Sequence, residues 1–292
     1  MAFSRLSGDE QGVIFSLLCN TFDPGLAVAF SSASSELRAL TKEPRQQLRA
    51  GHEAAAAFCH KVGMRSCKAL REAKNVIWVG KKLSPADLAT LGNLDLVLPA
   101  LERLVLYESS PGPEGMERLF EKLGTGALPA LTSLNLDGLP LGDAGASALA
   151  AALGRGALPR LQNLTLWNAG IGDAGLVALA PALRRLSALE RLVLQNNPLG
   201  DEGLAALVAP PPPPAGAPSP TTTGVLAKLK ELYLRNTQIT DSGCAALFAA
   251  FDGGALPALE ELDISDTPAD GAARAALEAR FPPIDDPDEY IW

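Results

Sequence analysis

The chain is short of reactive and aromatic residues. Of its 292 residues two are His and four are Cys, and aromatics make up 5%. Both histidines, His52 and His60, fall in one segment, so no Ser-His-Asp or Cys-His arrangement suggests itself. No catalytic residue stands out, and no enzyme activity is expected. His52, Cys59, His60 and Cys67 match none of the usual zinc spacings, so neither a metal nor a cofactor is expected. Four cysteines are too few for a disulfide scaffold and fit a reducing compartment. Positive charge is also in deficit. Lys and Arg number 25 against 33 Asp and Glu, a net charge of -8 that repels phosphate backbones and anionic membranes. No apolar run approaches the roughly 20 residues that cross a bilayer. The start, MAFSRLSGDE, lacks a charged leader followed by an apolar stretch. Neither nucleic acid nor a membrane is therefore expected as a partner, and the expected location is the cytoplasm or the nucleus.

What is present in excess is aliphatic. Hydrophobic residues reach 47%, so the core must be built from Leu, Ala and Val. These residues repeat. From Leu101 the chain reads LERLVLYESS, from Leu131 LTSLNLDGLPLGDAG, from Leu161 LQNLTLWNAGIGDAG and from Leu189 LERLVLQNNPLGDEG. Leu229 opens LKELYLRNTQITDSG and Leu259 opens LEELDISDTPADGAA. The starts lie 30, 30, 28, 40 and 30 residues apart, and the long interval contains a proline-rich insertion, Pro210 to Pro220. Such a run suits an extended polyproline segment or a disordered insertion. A degenerate first unit, AKNVIWVGKKLSPADL, begins at Ala73.

In each unit the last two Leu of L-x-x-L-x-L stand two apart, on one face of a short strand. Asp143, Asp173, Asp201 and Asp241 then suit helix N-caps, ahead of Ala/Leu-rich runs expected to stop at Gly154, near Pro181 and at Gly253-Gly254. Leu123–Pro129 resembles a phosphate loop in isolation. Leu153–Pro159 and Phe251–Pro257 repeat it in register, and none is followed by Lys-Ser/Thr, so it reads as a helix-to-strand turn. A strand followed by a helix every 28 to 30 residues is a solenoid unit that must stack on its neighbours.

The units from Leu101 to Arg280 resemble leucine-rich repeats of the long, helix-containing type found in ribonuclease inhibitor and in the sensor ends of NLR receptors. That resemblance implies an α/β solenoid with a parallel sheet on a concave face and helices on the convex face. The family places Asn or Cys three residues after the last strand Leu. Here Ser109, Leu139, Ala169, Asn197, Thr237 and Thr267 occupy that position. Leu139 and Ala169 cannot bond through their side chains, which predicts a looser turn ladder in the middle. Side chains alternating with the buried Leu point into the hollow. One column runs Ile77, Val105, Asn135, Thr165, Val193, Tyr233, Asp263; the next runs Val79, Tyr107, Asp137, Trp167, Gln195, Arg235, Ser265. Aromatics and Arg anchor protein interfaces, so Tyr107, Trp167, Tyr233, Arg235 and Gln195 are the candidate partner contacts.

Residues 1–72 lack the repeat and read as helices, residues 73–280 as repeats, and residues 281–292 as a C-terminal cap or tail in which Phe281, Ile284, Tyr290 and Trp292 cover the last unit. Leu6, Asp9-Glu10 and Ile14, then Asp23-Pro24 and Leu26-Ala27, then Ser31, Ser34, Leu37-Arg38 and Leu40 are similar to an F-box, with Ser7 where that motif carries Pro and no Trp near its end. An F-box implies docking on the adaptor subunit of a cullin-type ubiquitin ligase, with Ile14, Leu17, Leu18 and Leu26 exposed for it. The alternative is a helical cap that buries them against Val76 and Trp78. The expected function is a non-catalytic module binding a partner protein on the concave face. An F-box-type substrate receptor is one alternative, and a regulator of an enzyme or GTPase is another.

Overall fold

The computed structural model describes residues 7–19, 23–92, 98–107, 112–209 and 225–282. Helices come first: α1 (Gly8–Leu18), α2 (Gly25–Ser32), α3 (Ser35–Leu40), α4 (Lys42–Val62) and α5 (Cys67–Arg71). Strand and helix then alternate as β1 (Asn75–Val79), α6 (Pro85–Gly92), β2 (Arg103–Tyr107), α7 (Gly112–Lys122), β3 (Ser133–Asn135), α8 (Gly142–Gly154), β4 (Asn163–Thr165) and α9 (Asp173–Leu183). They continue as β5 (Arg191–Val193), α10 (Asp201–Val208), β6 (Glu231–Tyr233), α11 (Asp241–Asp252), β7 (Glu261–Asp263) and α12 (Ala272–Arg280). Among the described residues, the seven strands form one open parallel sheet in chain order. The fold is an α/β solenoid.

Register follows the repeat. Leu104, Leu134, Leu164, Leu192, Leu232 and Leu262 stand side by side. With Leu106, Leu136, Leu166, Leu194, Leu234 and Ile264 they are buried in one core that runs the length of the repeats. The helices close it with small residues. α8, for example, buries Gly145, Ala146, Leu149, Ala152 and Leu153, a single stripe at helical spacing.

The repeat aspartates cap forward rather than capping their own helices. Asp143 Oδ1 accepts from the Gly172 and Gly175 amides at 2.8 and 2.9 Å, and Asp173 Oδ1 from Gly200 and Gly203 at 2.7 and 2.8 Å. Asp201 takes the Thr240 amide and hydroxyl, and Asp241 the Gly271 amide. The reason is positional. Asp173 is already the first residue of α9, so its carboxylate faces the orphan amides of the helix stacked one repeat along. The glycine two residues after Asp makes room for the previous repeat's carboxylate. A β-carbon on Gly175 would lie 2.5 Å from Asp143 Oδ1, and one on Gly203 2.8 Å from Asp173 Oδ1.

Two further expectations concern a helix end and the turn ladder. α9 ends near Pro181 as expected, though Pro181 is inside its last turn and the helix closes at Leu183. Pro181 sits on the exposed side, where the lost amide bond costs the helix one link rather than its continuity. The ladder does not fail at Leu139 and Ala169. Both are buried, and the main-chain bonds from Gly138 to Trp167 and from Gly142 to Ala169 are in place there. Asn197 serves the Ala169 turn itself, accepting from the Ala169 and Ile171 amides and donating to the Leu166 and Leu194 carbonyls. The repeated Gly-Ala-Leu-Pro segments are helix-to-strand turns, with Gly126, Gly156 and Gly254 in the left-handed region.

The ends of the core are closed differently. At the N-terminal end the second half of α4 and α5 supply Ala55, Phe58, Cys59, Val62, Cys67 and Leu70, and Phe58 meets Trp78 edge-on at 5.2 Å. Among the described residues α1 and α2 are not part of the core that holds Val76 and Trp78. They form a separate small cluster in which Phe15, Ala27 and Leu48 are buried and Leu18 and Phe30 pack against them. At the other end Phe281 is buried against Phe251, with ring centroids 5.4 Å apart. Ile284, Tyr290, Trp292 and the insertion from Pro210 to Pro220 lie outside the described residues.

Candidate functional site

Among the described residues the helices cover one face of the sheet and leave the other free, and strand alternation decides which side chains stand on it. Ile77 and Val79 of β1 are 57% and 46% exposed there. Further along, Tyr107, Asp137, Thr165, Trp167, Val193, Gln195 and Tyr233 surround a small pocket of about 40 Å³. That volume holds a water or the tip of one inserted side chain. Tyr107 and Trp167, two repeats apart in sequence, thus line the same pocket, together with Asp137 of the intervening repeat. A β-carbon on Gly138 would touch the Tyr107 ring.

Asp137, which the sequence pattern did not single out, organises this pocket. Its carboxylate accepts from the Trp167 amide at 2.8 Å and from the Asn135 amide group at 2.7 Å. Burial raises its pKa, while those hydrogen bonds and the charge of Arg191 work against the rise.

The candidate contacts divide. Tyr107, Trp167 and Gln195 are half-buried and line the pocket. Tyr233 lines it too, yet it is fully buried and so is corrected as a freely exposed contact. The Arg191 guanidinium covers its ring at 5.1 Å, its hydroxyl donates to Glu231 at 3.1 Å, and burial, with Glu261 and Glu231 beside it, pushes its pKa up. Arg235 is not among the lining residues; its guanidinium pairs with Asp266 at 2.7 Å.

At the N-terminal end α1 and α2 leave part of their apolar surface exposed. Leu17 is 81% and Leu26 66% exposed, and Val13 and Val28 are exposed beside them in sequence. Ile14 and Leu18 are half-buried. Ser7, standing where the F-box motif carries Pro, forms a capping box with Glu10 and starts α1. Among the described residues no group of His, Cys, Asp and Glu is placed to hold a metal ion, and no helix is long and apolar enough to cross a membrane. Cys59 and Cys67 are buried with their sulfurs 3.8 Å apart.

A sequence model of the family described as Leucine Rich repeat matches residues 128–150, 187–208 and 225–248. Each matched segment begins at a strand-approach turn or helix-to-strand connection of the repeats above and ends in the following helix. The chain carries leucine-rich repeats. The matches all lie beyond residue 127, so they leave the N-terminal helices unassigned. Among solved structures it is similar to internalin C2 of Listeria monocytogenes, 19% identical over 76% of this chain and 87% of that one, with a TM-score of 0.42. It is also similar to the actin-binding site 2 of leiomodin-1, at 18% identity and a TM-score of 0.33. That alignment covers 42% of this chain and 64% of the leiomodin chain, just under two thirds of its length. A search of curated proteins found no match.

Proposed function

We propose that the protein is a binding module that holds a partner protein on the concave, helix-free face of its sheet. The observation behind this is the convergence of Tyr107, Trp167 and Gln195 on one pocket, with Ile77 and Val79 exposed on the same face. Apolar and aromatic groups around a small cavity give a partner a place to anchor a side chain. The acidic groups of β6 and β7, Glu231, Glu261 and Asp263, follow further along. A tagged full-length protein and its Tyr107→Ala/Trp167→Ala variant, compared as baits in quantitative mass spectrometry, test the reading. Partners held by the first and lost by the second support it. A capture profile identical for both rejects the concave face as the site.

A second reading is favoured by the exposure of Leu17 and Leu26, which a cap would have buried. In it the protein is an F-box-type substrate receptor, α1 and α2 gripping the adaptor subunit of a cullin-RING ligase and the repeats gripping the substrate. Co-purification of the full chain with that adaptor decides it. A stoichiometric complex lost on Leu17→Asp is the supporting result, and the absence of a complex with the folded wild type excludes it.

A further inference from the structure

The N-terminal helices carry a charge that the rest of the chain does not. Residues 1–72 hold nine Lys and Arg against seven Asp and Glu, a charge of +2. Residues 73–292 hold sixteen against twenty-six, a charge of -10. Three of the cations and a histidine fall on one side of α4. Lys42, Arg45, Arg49 and His52 are spaced three, four and three residues apart, which is one helical face.

That face borders a groove of about 490 Å³ closed on its other side by Pro24 and Val28. The floor is apolar. Leu48 is buried in it and Val28 is 48% exposed to it. No carboxylate is among the described residues that line it. Glu53 pairs with Arg49 at 2.9 Å, both side chains being largely exposed, so that pair is screened and exchangeable. Lys42 and Arg45 enter no ion pair among the described residues. Arg45 gives one guanidinium bond to the Arg38 carbonyl, and its Nε is buried without a hydrogen-bond partner.

We propose that this groove docks an acidic segment of a partner protein, with an apolar side chain seated on Val28 and Leu48 and carboxylates on Lys42, Arg45 and Arg49. Charge selects the occupant. An acidic peptide complements three cations lacking a local carboxylate floor, and guanidinium groups favour carboxylates through paired hydrogen bonds. A long polyanion such as a nucleic acid would also meet the -10 charge of the repeats, whereas a short peptide need not. The apolar floor adds a selection that phosphate backbones cannot use. The site is separate from the concave face. It shares Val28 of α2 with the second reading, but its cations lie on α4, so loss of peptide binding in Lys42→Glu/Arg49→Glu and loss of the adaptor in Leu17→Asp are distinguishable results.

The test uses the full chain and a fluorescent synthetic peptide of Asp and Glu flanking a Leu-Leu pair, read by anisotropy. The expected result is saturable binding that weakens roughly tenfold or more in Lys42→Glu/Arg49→Glu. Both replaced side chains are exposed, and circular dichroism checks that the fold is kept. Binding should also weaken in Val28→Ser and when the Leu pair of the peptide is changed to Ser. No binding overturns the proposal, as does equal binding by the Lys42→Glu/Arg49→Glu variant. So does competition by duplex DNA as strong as that by unlabelled peptide, since the groove would then be a general anion surface.

Discussion

Replacing Gly203 by Ala should destabilise the protein, against the usual rule for a helix. Gly203 lies inside α10, and an exposed helical Gly→Ala change normally stabilises by about 1 kcal/mol. Here the new β-carbon would sit 2.8 Å from Asp173 Oδ1 and 3.1 to 3.2 Å from Leu176 atoms, and the neighbouring helix is fixed by the core. Overpacking of this kind costs about 1–3 kcal/mol, so the net loss should be about 1–2 kcal/mol. Asp173→Ala removes the two capping bonds to the Gly200 and Gly203 amides at the start of α10. Lost helix caps cost about 0.5–2 kcal/mol, and two bonds to one carboxylate put this case at about 2 kcal/mol. The decisive quantity is the coupling. With Asp173 shortened to Ala the closest clash disappears, so Gly203→Ala should cost about 1 kcal/mol less in that background than in the wild type. Urea melts of the wild type, both single variants and the double variant, followed by circular dichroism and tryptophan fluorescence, measure it. If Gly203→Ala stabilises the wild type, or costs the same in both backgrounds, the forward-capping account of the Asp-x-Gly motif is wrong.

Three other outcomes follow from the same geometry. Asn197→Ala should cost about 3–5 kcal/mol in the same melts, since it strips four buried main-chain groups of their partner at once. Asp87 joins α6 to α4: burial opposes its ionisation, but Lys61 and the Ser84 hydroxyl and amide outweigh this and hold its carboxyl below the ordinary range. A depressed carboxylate stabilises above its unfolded pKa of about 4 and loses that contribution as pH falls through the folded value. Asp87→Asn should therefore be less stable than wild type at pH 7, with the gap closing in acid; a gap that widens in acid refutes the assignment. Finally, Cys19 is exposed while Cys59, Cys67 and Cys244 are buried. Burial, helped by Cys67, pushes the Cys59 thiol up to about 12, and burial with Asp241 nearby lifts Cys244 to about 11. Ellman's reagent should find one rapidly reacting thiol in the native protein, lost in Cys19→Ser, and the other three only after denaturation.

Repetition made most of this fold readable in the sequence. Six copies of L-x-x-L-x-L fix a two-residue alternation and a period of 28 to 30, and those two spacings determine parallel strands in register with a helix after each. The free-face columns followed from the same alternation, as did the identity of the Gly-Ala-Leu-Pro turns. Nothing local, however, distinguishes an Asp that caps its own helix from one that caps the next. Both have the same neighbours in sequence, and the partner amides lie 27 to 39 residues away. Tyr233 and Trp167 likewise occupy strand-edge positions of similar character. Arg191 and Glu231 bury the first by laying their charged ends across its ring and hydroxyl, and the second keeps its half-exposure beside Tyr107. The N-terminal helices show the same division. Their helical periodicity was plain, but only packing decided that Phe58 and Val62 of α4, rather than Leu17 and Leu26, close the end of the core. Sequence period determines which residues share a face, because that depends on backbone geometry alone. What covers the face depends on side chains brought together from distant repeats, and that is decided only when the chain is folded.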